Sequence, residues 1–224
     1  MGWREGEDRN DNDAEWQAFG KVRTQGMIIA HHLVLTGYGH WLPNDPRGSN
    51  SEETFTSELA AIAETHVGRR KRQPSRGELK EFHRKAEELL AHRVLWFEEA
   101  QRSLIAEAVG AAISEQRLVC YACAVLSCHV HLLIRRHKLR GQELVTILKE
   151  RIRSRMHQSG VVPAEHPVFS TDMRVYYKYD PRAVRACIKY IHENFTKHGI
   201  PPVEYEFVSP YDDWPFHKDL KYPD

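Results

Sequence analysis

The sequence predicts an α+β fold: an antiparallel sheet of split βαβ connectivity, with helices on one face and one further helix at the C-terminal end. Three observations carry that expectation. Apolar runs short enough for strands alternate with segments whose apolar residues recur at helical spacing, in the order strand, helix, strand, strand, helix, strand, helix. The two adjacent strand candidates leave only Ser127-Cys128 as room for a turn, so they form a hairpin. With 224 residues, 41% of them hydrophobic, the chain can bury one good core, and no apolar run approaches the roughly 20 residues of a membrane span.

Each element has its own justification. Met27-Ile28-Ile29-Ala30-His31-His32-Leu33-Val34-Leu35-Thr36 is the first strand, closed by the turn-forming Gly37-Tyr38-Gly39. Residues 41–49 follow as a loop dense in Pro, Asn, Asp and Gly, with Trp41 and Arg47 at its centre. Between about 55 and 92 lie two short helical patterns, parted by the basic run Gly68-Arg69-Arg70-Lys71-Arg72-Gln73-Pro74; Ser75 and Glu78 form a capping box for the second. Phe97, Gln101, Leu104, Ile105, Ala108, Ala112 and Ile113 mark an amphipathic helix over 97–115. Residues 118–126 and 130–134 make the hairpin, and 141–157 form a helix with Leu144, Leu148, Ile152 and Met156 inward. A strand region spans 168–179. The last helix, 181–198, is punctuated by Asp180 as cap, Pro181 at its first position, Gly199 at C′ and Pro201-Pro202 beyond. This order is that of a ferredoxin-like sheet, whose second face stays available for function.

The expected organisation is an acidic tail over 1–25, one domain over 26–216 with a helical insertion at about 50–95, and a C-terminal tail over 217–224. Residues 1–15 hold six acids and two arginines, too polar to pay for folding, so disorder is expected there. The N-terminus lacks a signal-peptide pattern and Gly6 breaks the myristoylation pattern, so a cytoplasmic location and no membrane contact are expected. Cys120, Cys123, Cys128 and Cys187 suit reduced buried thiols.

Lys+Arg 32 against Asp+Glu 31 gives a net charge of +1, which hides unlike parts. From 135 to 155 eight basic residues face Glu143 and Glu150, while residues 1–15 and 203–224 are both acidic. Arg135, Arg136, Lys149, Arg151, Arg153 and Arg155 thus form a candidate phosphate track.

The sharpest local signal is His129-Val130-His131. Alternation along a strand puts both imidazoles on one face while Val130, Leu132 and Ile134 enter the core, and two such imidazoles can converge on one metal ion. On the last helix Tyr190 and Asn194 are i and i+4, on a face distinct from the docking stripe of Val184, Ile188, Ile191 and Phe195. The Asn194 carboxamide could complete a site for a hard divalent ion, with Tyr190 beside a bound phosphate. Tyr176, Tyr177 and Tyr179 are rival tyrosines, placed where a strand uses aromatic residues for packing.

These residues resemble the HUH superfamily of single-tyrosine transposases, in particular the REP-associated tyrosine transposases. The resemblance extends to residues 38–48 (Tyr38-Gly39-His40-Trp41-Leu42-Pro43-Asn44-Asp45-Pro46-Arg47-Gly48), 96–101, 121–126, Tyr190-Ile191-His192-Glu193-Asn194 and 207–215. It departs at Leu126-Ser127-Cys128, where the family often has Met-Pro-Asn/Asp, and at Phe195, where it often has Pro.

The resemblance implies that His129 and His131 bind Mg²⁺ or Mn²⁺, that Asn194 helps hold it, and that Tyr190 is the nucleophile of a single-strand DNA endonuclease and strand transferase. It implies a 5′-phosphotyrosine intermediate, single-stranded DNA with palindromic hairpins as partner, and a monomer or homodimer. Trp41 and Arg47 could then stack on or pair with unpaired bases. Two alternatives remain at this level: a domesticated, non-catalytic hairpin-binding protein, and a zinc module built on Cys120, Cys123, Cys128 and the histidines. The zinc module is opposed by the expectation that cysteines three apart in a strand face opposite sides.

Overall fold

Four strands, β1 (Ala30–Thr36), β2 (Cys120–Val125), β3 (His129–Arg135) and β4 (Arg174–Lys178), form an antiparallel sheet in the order β2-β3-β1-β4. The computed structural model describes residues 26–49, 57–66, 68 and 70–216, so the tails expected over 1–25 and 217–224 lie outside the described residues. Five helices accompany the sheet among the described residues: α1 (Ser57–Ile62), α2 (Arg76–Glu87), α3 (Glu99–Glu115), α4 (Gly141–Gln158) and α5 (Pro181–Lys197). The connectivity is the expected split βαβ. No described helix is long and apolar enough to cross a membrane.

The two faces of the sheet carry two cores. Leu33, Leu35, Val130, Leu132 and Ile134 pack with α3 and α4 through Ile105, Val109, Leu144, Leu148 and Ile152. Ala122, Ala124 and Leu133 pack on the other face with Val184, Cys187, Ile191 and Phe195 of α5. The second face is therefore covered in part, a correction to the expectation that it stays open. Burial of Val184, Ile191 and Phe195, each 0% exposed, contributes roughly 1.5–3 kcal/mol per side chain and fixes where α5 lies.

The ends of α5 follow their sequence punctuation. Asp180 accepts from the Ala183 amide at 2.8 Å, and Pro181 occupies the first turn, where no amide is needed. Gly199 at φ 64° closes the helix: its amide bonds the Thr196 carbonyl at 3.0 Å, and the Ile200 amide reaches the Phe195 carbonyl at 2.9 Å.

The strand β2 departs from regular alternation. A bulge between Cys120 and Ala122 shifts its register, so Cys120 and Cys123 lie in the same core layer, facing α3 and α4. The expectation that they face opposite sides was built on an unbroken strand and is corrected. Burial raises the Cys120 thiol to about 12 and Cys123 well above its ordinary value, which disfavours the thiolates a zinc site needs.

Candidate functional site

In β3 the pleat sends Val130, Leu132 and Ile134 toward α3 and α4, and His129 and His131 toward the α5 face. Across the ladder Thr36 pairs with His129, Val34 with His131 and Leu33 with Leu132, so His32 lies diagonal to His131 on the same face. The result is a buried imidazole row. His32 Nε2 is 2.9 Å from His131 Nδ1, His131 Nε2 is 3.0 Å from His129 Nε2, and His129 Nδ1 is 3.2 Å from Cys128 Sγ.

Burial is the main reason these rings are neutral. It pushes His129 and His131 well below the usual histidine range, reinforced by the neighbouring imidazoles, and it takes His32 down to about 3. Each neutral ring has one donor and one acceptor nitrogen. When the Nδ1–H groups of His129 and His131 donate to Cys128 Sγ and His32 Nε2, the two Nε2 lone pairs face each other. Their 3.0 Å separation fits adjacent ligands of an octahedral ion with bonds of about 2.1 Å. Occupied Nδ1 positions are also what metal-binding histidines commonly show. Among the described residues no group of three or more His, Cys, Asp or Glu side chains is placed to hold a metal ion. The pair could therefore supply two donors, with the rest coming from a carboxamide, water or a ligand.

The helix α5 brings its polar stripe to this row. The Tyr190 ring stands edge-on to His131 at 5.6 Å and to His32 at 6.1 Å between centroids. Tyr190 and the histidine pair thus meet within one chain. Asn194 is buried, and its Nδ2 donates to the Tyr190 carbonyl at 2.7 Å, which makes Oδ1 the acceptor end of the amide. His198, one further turn along, caps the helix with its ring 5.0 Å from that of His129. Lys197 Nζ lies 5.0 Å from the centre of the Tyr190 ring.

The rival tyrosines are placed differently. Tyr176 lies on the same face, 5.7 Å from His32, whereas Tyr177 packs on His31 at 5.4 Å on the opposite face and Tyr179 is exposed.

The first loop contributes the rim. Trp41 and Arg47 are not two independent base contacts: Arg47 stacks on the Trp41 ring at 3.7 Å and its guanidinium pairs with buried Asp45 at 2.6 Å. Arg174 lies 6.0 Å from the same ring and bonds Asp172 at 2.5 Å. Arg47 helps lower the pKa of His198 after burial, and Arg174 and Lys197 make small contributions in the same direction at His129 and His131.

The basic run 135–155 meets a different fate. Its helical part is on α4, across the sheet from α5, and most of its charges are tied within the fold. Lys149 Nζ holds the Ser170 and Asp172 carbonyls at 2.7 and 2.5 Å, Arg151 pairs with Glu115, and Arg155 pairs with Glu107 at 2.8 Å. Arg135 leans on Trp214 at 4.7 Å, while Arg136 and Arg153 are exposed. A continuous phosphate track toward Tyr190 is not what this arrangement presents. Local charge counting could not see that α3 carries the matching glutamates.

Four residues at the site escaped the sequence reading: His32, Arg174, Lys197 and His198. For His198 and Lys197 the signal was present, since 190, 194, 197 and 198 continue one helical face at i, i+4, i+7 and i+8. His32 and Arg174 need the strand register.

The fold and site together define an α+β protein in which a buried histidine pair on a sheet faces a tyrosine on a covering helix. No family model matches the sequence, and no curated protein matches it. Among solved structures the chain is similar to a REP-associated tyrosine transposase bound to a REP hairpin, at 13% identity and a TM-score of 0.41, covering 90% of this chain and 85% of that one. It is also similar to a candidate transposase from Deinococcus radiodurans R1, at 14% identity and a TM-score of 0.35, covering 78% of this chain and 95% of that one.

Proposed function

We propose that the protein is a metal-dependent single-strand DNA endonuclease and strand transferase of the HUH type, with Tyr190 as nucleophile. The observation that carries this reading is the approach of the Tyr190 ring to His131, 5.6 Å between centroids, in a site whose histidine pair has its Nε2 atoms 3.0 Å apart. The ordered motifs around His129-Val130-His131 and Tyr190 support it from the sequence side.

His129 and His131 would hold a divalent ion, Mg²⁺ or Mn²⁺, with the Asn194 carboxamide as a further donor. When bound, such an ion polarises the scissile phosphate and offsets charge in the transition state. Tyr190 Oη attacks phosphorus; the Oη–P bond forms and the bond from phosphorus to the 3′-oxygen breaks. A 5′-phosphotyrosine and a free 3′-hydroxyl result, with the phenolic proton transferred in net terms to the departing oxygen. Lys197, 5.0 Å from the ring centre, offsets negative charge developing on the phenol. His32 holds His131 in the orientation and tautomer that leave its Nε2 lone pair for the ion. Because the phosphotyrosine keeps the energy of the broken phosphodiester, a 3′-hydroxyl from another strand reverses the step and transfers the strand. Arg47 and Arg174 supply positive potential for the backbone of single-stranded hairpin DNA.

The test is cleavage of end-labelled single-stranded hairpin DNA in Mg²⁺ or Mn²⁺. Wild type gives a covalent protein–DNA species and Tyr190→Phe does not. Cleavage without a covalent species in wild type contradicts the reading.

A further inference from the structure

The insertion presents a basic segment that the proposed chemistry does not use. His66, Arg70, Lys71, Arg72 and Gln73 line a cleft of about 590 Å³ with Pro46 and Glu78. Lys71 and Arg72 stand in solvent, the Arg72 side chain 90% exposed and 3.9 Å from Glu78. That glutamate is already committed: its Oε2 accepts from the Ser75 amide at 2.6 Å as half of the α2 capping box. Arg70 donates from one terminal nitrogen to the Glu64 carbonyl at 3.0 Å, while its Nε is buried without a hydrogen-bond partner. Among the described residues that line the cleft, Arg70, Lys71 and Arg72 face one carboxylate, Glu78, which is already engaged, and this balance favours an anion.

A backbone ladder fixes this cleft to the first loop. The Ser49 amide bonds the His66 carbonyl at 3.0 Å, the Gly68 amide bonds the Ser49 carbonyl at 2.7 Å, and the Arg70 amide bonds the Arg47 carbonyl at 3.0 Å. Gly48, at φ 94°, permits the approach, for a Cβ there would stand 1.9 Å from the Gly68 carbonyl oxygen. Arg47, whose carbonyl takes part in this ladder, is the residue stacked on Trp41 at the rim of the histidine site. The cationic cleft is thus joined by backbone hydrogen bonds to the loop that carries Arg47 and Trp41.

We infer that the cleft around Arg70, Lys71 and Arg72 is a second phosphate-binding subsite, which holds the single-stranded DNA flanking the hairpin as it leaves the Tyr190 site. This rests on the reading above that the Tyr190 site takes single-stranded DNA. The recognition is of backbone charge, with no base contact required.

The experiment measures binding of the full chain to labelled hairpin oligonucleotides with and without single-stranded tails, over a range of salt, for wild type and Lys71→Gln/Arg72→Gln. Wild type binds the tailed hairpin about tenfold more tightly than the bare one near 0.1 M salt, with a log–log salt slope steeper by roughly 1.4 for two strand contacts. The double variant loses that difference and binds and cleaves the bare hairpin as wild type does. Equal preference for tails in variant and wild type overturns the inference, as does displacement of the tail by polyglutamate at equal charge concentration, which would make the cleft a site for acidic polypeptide. A wild type that binds no hairpin at all overturns both this inference and the reading on which it rests; a wild type that binds and cleaves the hairpin but shows no preference for the tailed form overturns only the inference.

Discussion

His32 Nε2 lies 2.9 Å from His131 Nδ1, both rings buried, so one imidazole sets the tautomer of the other. The contact follows from register: His32 is diagonal to His131 across the β1–β3 ladder. Replacing His32 by Phe is expected to lower Mn²⁺ affinity by about 10–100-fold, the usual cost of losing an outer partner of a ligating histidine. Replacing it by Gln keeps an acceptor for Nδ1–H and restores most of the affinity. Titration calorimetry with Mn²⁺ reads both, and equal losses in the two variants would show that the ring matters only for packing.

The bulge in β2 and the covered sheet face show where the sequence stops being informative. Helix α5 was legible because its ends are chemically marked by Asp180, Pro181 and Gly199, and because Val184, Ile191 and Phe195 announce the buried stripe. His129, His131 and Tyr190 were legible because each belongs to one element with a fixed period. What was hidden depends on two elements at once. Cys120 and Cys123 share a core layer only because of the bulge, and His32 reaches His131 only through pairing. Arg151 and Arg155 are tied to Glu115 and Glu107 only because α4 lies against α3.

Gly48→Ala should uncouple the segment between α1 and α2 from the first loop. The new Cβ would collide with the Gly68 carbonyl in a backbone conformation that already disfavours a side chain, at a cost of about 2 kcal/mol or more. Urea unfolding should register the loss, and limited proteolysis should cut earlier between α1 and α2 than in wild type.

His40 makes the fold sensitive to acid. Its ring is 2% exposed, bonds the Leu95 carbonyl at 3.0 Å and packs on Trp96 at 4.4 Å. Burial, only partly offset by that hydrogen bond, lowers its pKa to about 4, against 6.5 for the unfolded chain. The unfolded state therefore binds the proton first. The contribution is complete above pH 6.5 and is lost at about 1.4 kcal/mol per pH unit as pH falls toward 4. In His40→Gln, which keeps a donor for Leu95, the stability difference between pH 7.5 and 5.0 should shrink by about 2 kcal/mol, measured by urea unfolding at each pH.

If Tyr190 attacks a DNA phosphate beside the His129–His131 pair, as proposed, the covalent protein–DNA species carries its nucleotide on that residue, and a peptide map of the species reads this. With Mn²⁺ and single-stranded hairpin DNA, wild type should yield one nucleotide-modified peptide, carrying Tyr190, which disappears when the metal is chelated and is absent from Tyr190→Phe and from His131→Ala. A modified peptide carrying Tyr176 instead, or an undiminished adduct in Tyr190→Phe, would contradict it.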